Sequence, residues 1–352
     1  MNGRASGLVV VLVLLAAAAA TRAADTLDIY FIDTEGGQAT LLVTPAGQSM
    51  LIDSGFAGLD SNNPDKETGR DAKRIAAAAK LAGARQIDVF MPTHFHGDHV
   101  GGVQQVAAQL PIALFVDDGP AVQESAPLKQ KLGEYSEIYA AEFAKGKHLV
   151  VKPGDAIPVR GVNVTVVAAN GKTTSAAGEA NPNCEGLVPR QAGNPEDTES
   201  LGIVVTFGRF RFANFGDMPW NKELELLCPG NRVGKIDVYQ AAGHGREPSN
   251  AIRALAPRIA VAPNGARKGA GGATVKAFGA MPGFEDLWLL HLNVPGGADG
   301  NPPAEFIANL DEPGTSGGND AGAYLKLSAM EDGSFTMFNS RTNATRRYSP
   351  RK

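Results

Sequence analysis

The chain has 352 residues, 43% hydrophobic and 20% charged, enough apolar content for a packed core and too little charge for a solvated disordered segment. Its 33 basic and 37 acidic residues leave a net charge of −4 with no long basic run, so stable nucleic-acid binding through bulk charge is not expected. Two cysteines exclude a cysteine-rich zinc module and a multi-disulfide scaffold, and 42 Gly with 22 Pro signal many tight turns.

Residues 1–23 have the form of a secretory signal, with Arg4 before an apolar run from Leu8 to Ala20 and the small residues Thr21 and Ala23 ahead of a cleavage point. That run is shorter than the roughly 20 residues of a bilayer span, and no later segment reads as one. An exported, periplasmic or secreted chain is expected, with an uncleaved N-terminal anchor as the alternative. Cleavage removes Arg4, Arg22 and no acid, which moves the net charge from −4 to −6. An oxidising destination also permits a disulfide between Cys184 and Cys228.

Strands are expected over 27–33, 41–44 and 49–52, the last two forming a hairpin around Pro45-Ala46-Gly47 that runs into Asp53. A helix over 70–82, closed by Gly83, leads to the apolar strand 87–91 and then to a His-rich segment at 94–99. An amphipathic helix follows over about 124–146, with Leu128, Leu132, Tyr135, Tyr139 and Phe143 on one stripe, and reads as an outer packed helix. His148 reads as a water-exposed residue at its end. Residues 170–199 lack periodicity and form a long loop able to overhang a site.

The first order of elements then recurs. A hairpin over 203–206 and 210–213 runs into Asp217, followed by a helix over 220–227, the strand 236–239 and His244. Each half reads hairpin, acid, helix, Ile-Asp-Val-aromatic strand, histidine, which predicts a duplicated β-rich unit with helices outside and both acid–histidine ends at one edge. A strand over 258–262 leads to Arg267 and Lys268, and a Gly/Pro/Asp-rich stretch over 294–320 precedes a last hairpin near 322–338. The expected organisation is a signal over 1–23, one domain over 24–340 and a tail over 341–352.

His94-Phe95-His96-Gly97-Asp98-His99 packs three imidazoles and a carboxylate into six residues directly after a strand. Alternate residues of an extended chain point the same way, so His94 and His96 are placed to hold one ion, and a turn at Gly97 sends Asp98 and His99 toward a second. Imidazole with carboxylate suits zinc, with manganese or iron as the alternatives.

These residues resemble the metallo-β-lactamase superfamily, whose His-x-His-x-Asp-His motif is matched at every position. The resemblance implies an α/β fold, an αββα sandwich of two mixed sheets flanked by helices, and two divalent metal ions. It implies that Asp53 orients a ligand histidine, that Asp217 bridges the ions, and that His244 is the last ligand. Phe31-Ile32-Asp33 with Gly36-Gly37-Gln38-Ala39 is similar to the exported relatives of the competence-protein ComEC hydrolase domain. Where the superfamily usually places a third histidine, this chain has Glu196-Asp197-Thr198-Glu199-Ser200; an acid is expected there, Asp197 being preferred over Glu196 for its shorter side chain. Downstream there is no further His-Pro, and Asn264-Gly265-Ala266-Arg267-Lys268-Gly269 stands instead.

The implied activity is hydrolysis by a water ionised on the metals, since coordination lowers the pKa of water from about 15.7 to about 7. Asp98 is expected to orient that water, and Arg267 and Lys268 to hold an anionic group. His291 reads first as a core histidine and second as a substrate contact. The expected substrate is a phosphodiester or phosphate ester. Lactam, lactone or thioester hydrolysis, and metal binding without turnover, are the competing readings.

Overall fold

Leu325, Leu327 and Ala329 are buried in the strand Leu325–Ala329, while Lys326 and Ser328 between them are half exposed. Phe335–Asn339 repeats that alternation, the period of a strand with one face on a core. The computed structural model describes residues 25–58, 69–121, 126–191, 193–311 and 321–351. The signal expected over 1–23 lies outside the described residues, and so do parts of the expected helix at 124–146 and of the stretch at 294–320.

Two nine-stranded sheets carry the fold. In the first, Leu27–Phe31 lies antiparallel between Leu325–Ala329 and Thr40–Val43, and Thr40–Val43 pairs with Ser49–Ile52. Ser49–Ile52 then runs parallel to Val89–Met91, beyond which Leu114–Asp117 and Lys147–Val150 continue in parallel. The second sheet follows the same plan. Gly202–Phe207 and Phe210–Asn214 form an antiparallel hairpin, and Phe210–Asn214 runs parallel to Val238–Gln240, followed by Ile259–Ala262, Asp286–His291 and Ile307–Asn309. The hairpin-then-parallel-strand repeat expected from sequence is therefore present in both sheets.

Three apolar layers follow from this. Ile29, Phe31, Ile52, Met91, Val205, Phe212 and Val261 fill the space between the sheets. Helix Arg70–Leu81 and helix Ala126–Phe143 cover the outer face of the first sheet through Ile75, Leu132 and Tyr139. Trp220–Leu227 and Gly272–Gly279 cover the second through Leu226, Leu227 and Phe278. This is the αββα sandwich.

The segment expected as a tail is a correction. Ala344–Tyr348 is the edge strand of the first sheet, Tyr348 is buried on Trp288 and Asp286, and Arg351 Nε lies 3.0 Å from Asp237 Oδ1. Four of its five residues are exposed, so no alternation marks it in the sequence. His148 is exposed as expected, but it sits in the strand Lys147–Val150 and not at a helix end; it stacks on Phe143 with ring centroids 4.0 Å apart and meets Asp117 Oδ2 at 2.5 Å. Cys184 and Cys228 are bonded, which ties the 170–199 segment to the helix after Asp217. No helix among the described residues is long and apolar enough to cross a membrane.

Candidate metal centre

Asp53, His94, Asp217 and His244 all follow strands of the parallel halves of the two sheets, where open α/β sheets place their ligands. Asp53 and His244 have φ of 60° and 58°, an uncommon left-handed backbone for residues other than glycine. Gly216 keeps its place before Asp217 because a Cβ there would lie 2.7 Å from Thr93 Cβ.

Asp53 organises the His-rich loop. Its carboxylate accepts the Thr93 backbone N–H at 2.6 Å, the Thr93 hydroxyl at 3.0 Å and Gln38 Nε2 at 2.7 Å, and lies 2.9 Å from His99 Nδ1. With its Nδ1 proton on Asp53, His99 presents the Nε2 lone pair to the centre. His244 is held in the same sense, its Nδ1 lying 3.2 Å from the Pro263 carbonyl. Thr93 Oγ1, 3.1 Å from His94 Nδ1, accepts that proton while its own hydrogen goes to Asp53. Three imidazoles are thus fixed with Nε2 inward, as metal-ligating histidines require.

Asp197 is presented by a four-residue helix, Pro195–Thr198. Asn194 caps that helix by accepting Glu196 N–H at 3.1 Å, and its Nδ2 lies 3.0 Å from His96 Nε2. Glu196 is turned elsewhere, accepting Phe95 N–H at 2.8 Å. Of the two candidate acids, Asp197 meets the histidines: its Oδ1 lies 3.1 Å from His96 Nδ1 and 3.7 Å from His94 Nε2, which are themselves 2.9 Å apart.

A second group surrounds His99 and His244. Their Nε2 atoms are 3.2 Å apart; Asp98 Oδ2 lies 3.5 and 3.1 Å from them, and Asp217 Oδ1 and Oδ2 lie 3.5 and 3.2 Å from His99 and His244 respectively. A tetrahedral ion with bonds of about 2.1 Å spaces its ligands about 3.4 Å apart, so this donor set fits a divalent cation. His94 joins His99 and Asp217 in a further cluster, which places Asp217 between the two groups. Asp217 Oδ1 is buried and has no hydrogen-bond partner among the described residues.

Burial, reinforced by His99 and His96, holds His94 well below the usual imidazole range, so it is neutral and ready to donate its lone pair. Burial also opposes a charge on His99, but Asp98, Asp53 and Asp217 outweigh it and push His99 well above that range. Burial would raise Asp98, yet Lys268 and His99 keep it well below the carboxylate range. Without an ion the carboxylates thus hold a proton on His99, and a divalent cation takes that proton's place.

Two cations flank the cluster. Lys268 Nζ contacts Asp98 Oδ2, and Arg246 donates to the Asp217 carbonyl and reaches Asp197 Oδ2 at 3.5 Å. Both side chains are about half exposed, and Arg267 is exposed beside Lys268. His291 is not at the surface. It is buried with Nε2 2.5 Å from Asp33 Oδ1, and Arg74 Nη1 meets the other oxygen of Asp33 at 2.8 Å, which agrees with the first reading of it as a core histidine and not with the second as a substrate contact. Sequence reading assigned no role to Thr93, Asn194 and Arg246, and singled out Gln38 only as part of the Gly36-Gly37-Gln38-Ala39 motif.

Residues 33–176 match the model of the Metallo-beta-lactamase superfamily. The match takes in Asp53 and the His-x-His-x-Asp-His motif, while Asp197, Asp217 and His244 lie beyond it. The chain has the metallo-β-lactamase fold. No curated protein matches it. Among solved structures it is similar to a HARLDQ-motif mutant of a metallo-beta-lactamase from Cronobacter sakazakii, at 15% identity, covering 60% of this chain and 75% of that one with a TM-score of 0.35. It is also similar to the metallo-beta-lactamase fold protein YhfI from Bacillus subtilis, at 12% identity over 75% and 96% with a TM-score of 0.42. A metallo hydrolase from Ignicoccus hospitalis aligns at 13% identity over 67% and 81% with a TM-score of 0.35.

Proposed function

We propose that this chain is an exported hydrolase of phosphodiesters or phosphate esters that works with two divalent cations, zinc first and manganese as the alternative. The observation that carries this reading is Asp217, a buried carboxylate between two groups of inward-facing histidines, one of whose oxygens has no hydrogen-bond partner among the described residues. His94, His96 and Asp197 would hold one ion, and Asp98, His99 and His244 the other, with Asp217 shared. When bound, the ions supply Lewis acidity and bring the ionisation of a water to about neutral pH.

The chain's own residues do the rest. Asp53, Thr93 and the Pro263 carbonyl orient the rings of His99, His94 and His244. Asp98, at the edge of the centre toward solvent, is placed to accept a proton from the attacking water and orient it. Lys268 and Arg246 on opposite sides offer charged donors to anionic oxygens, which favours a phosphate ester over a neutral lactone. The resemblance of Asp33 and Gly36-Gly37-Gln38 to the ComEC-type motif points to the same substrate class, and Gln38 from that loop donates to Asp53.

Metal-replete protein assayed on bis(4-nitrophenyl) phosphate, 4-nitrophenyl phosphate, a chromogenic β-lactam and an aryl lactone tests this. Phosphoester turnover that chelation abolishes is the expected result. Lactam or lactone hydrolysis without phosphoester turnover would overturn the substrate class, and metal-loaded protein inert on all four would leave a binding protein.

A further inference from the structure

Lys268 stands where a cation is expected from solvent or metal, yet it comes from the chain itself. Its Nζ contacts Asp98 Oδ2, the same oxygen that lies 3.1 Å from His244 Nε2 and 3.5 Å from His99 Nε2. A turn in which Gly265 N–H donates to the Lys268 carbonyl at 2.9 Å sets its backbone. The stem passes over Gly36, where an added Cβ would lie 3.2 Å from Lys268 Cβ, and the ammonium lies 6.0 Å from the centre of the Phe56 ring. Gly269 holds the turn against the ligand loop, since a Cβ there would lie 1.9 Å from the His244 carbonyl oxygen. The side chain is nevertheless 48% exposed, so an incoming anion can reach the ammonium.

An ammonium on a ligand carboxylate acts on the metal in two ways. It withdraws electron density from the oxygen that must bind the ion, and it repels a second positive charge at close range. The first group, His94, His96 and Asp197, has Arg246 only at 3.5 Å and on the far oxygen of Asp197.

We infer that Lys268 is an internal cation that weakens the Asp98, His99 and His244 position relative to the other, and that an anionic phosphoryl group drawing Lys268 away tightens that position. This rests on the dinuclear reading above. It makes second-ion binding and substrate binding mutually reinforcing, because a coupling of this kind is reciprocal. Substrate would thus complete the centre that acts on it.

The test is a zinc titration of chelator-stripped full chain against a chromophoric chelator, on the wild type, Lys268→Gln and, as a remote exposed charge control, Lys276→Gln. The wild type should take two ions of unequal affinity. Lys268→Gln should leave the tighter ion unchanged and bind the weaker at least tenfold more tightly, and Lys276→Gln should change neither. Inorganic phosphate should then tighten the weaker ion several-fold more in the wild type than in Lys268→Gln. An unchanged or weakened second ion in Lys268→Gln would overturn the role of Lys268, and an equal phosphate effect in both proteins would overturn the coupling. A wild type that takes no ion fails the dinuclear reading instead, a distinct outcome.

Discussion

Asp53 Oδ2 lies 2.9 Å from His99 Nδ1, and the same carboxylate holds the Thr93 backbone and hydroxyl and the Gln38 amide. One buried acid therefore sets both the path of the ligand loop and the tautomer of a ligand. Asp53→Asn keeps a side chain that tolerates the left-handed backbone at this position while losing the charge that stabilises the Nδ1 proton. Metal affinity should fall 10- to 100-fold, on the order seen when such partners are removed. Competition titration against a chelator measures it, and unchanged affinity would make Asp53 a purely structural acid.

Glu196 and Asp197 are neighbours with different tasks. Asp197→Ala should lose about one ion per chain, because it leaves that position only His94, His96 and the shared Asp217. Asp197→His should restore it and favour zinc over manganese. Glu196→Ala should keep both ions but leave Phe95 N–H unpaired, a cost of about 1–3 kcal/mol. Elemental analysis and denaturant unfolding separate the two. Metal loss in the Glu196 variant alone would reverse the assignment.

Much of this was legible in the sequence, and the limits have physical reasons. Strand 49–52 and helix 220–227 are expected with their observed bounds, since a short apolar run after a turn and helical periodicity are local signals. The ligands of the 94–99 motif are legible because ligand spacing is also local. Asn194 and Arg246 reach the centre only through contacts to His96, Asp197 and Asp217 made by the folded chain, which no spacing encodes. His291 is legible as a core histidine from its apolar neighbours Leu290 and Leu292, but its partner Asp33, 258 residues away, is not. Ala344–Tyr348 reads as a tail in the sequence because it buries one residue of five.

Cys184 and Cys228, 44 residues apart, are joined between the 170–199 segment and the end of the helix that follows Asp217. Thiol labelling of the denatured, unreduced protein should find no free cysteine. Cys184→Ser should cost about 2–4 kcal/mol of stability by releasing the unfolded chain from the cross-link. Two labelled thiols would contradict the pairing.

Glu223 gives a pH dependence with a definite sign. Burial pushes its carboxyl up from an ordinary 4.5 to about 7, although it accepts Ser249 N–H at 2.7 Å. Between those values the folded chain holds a proton that the unfolded chain releases, so this residue's effect is a loss of stability as pH rises from about 4.5 through about 7, level above that. Glu223→Gln should therefore gain on the wild type between pH 5 and pH 8, by at most about 3 kcal/mol. Thermal unfolding of both proteins at the two pH values reads the difference. An equal gap at both would show that Glu223 does not titrate there.

Two inward-facing donor groups that share Asp217 require two ions per chain, which metal stoichiometry reads. Full chain saturated with zinc or manganese and freed of excess should contain close to two ions, and His94→Ala should retain about one and lose all turnover. Wild-type protein that holds no ion after either reconstitution, with its fold intact by circular dichroism, would contradict the account.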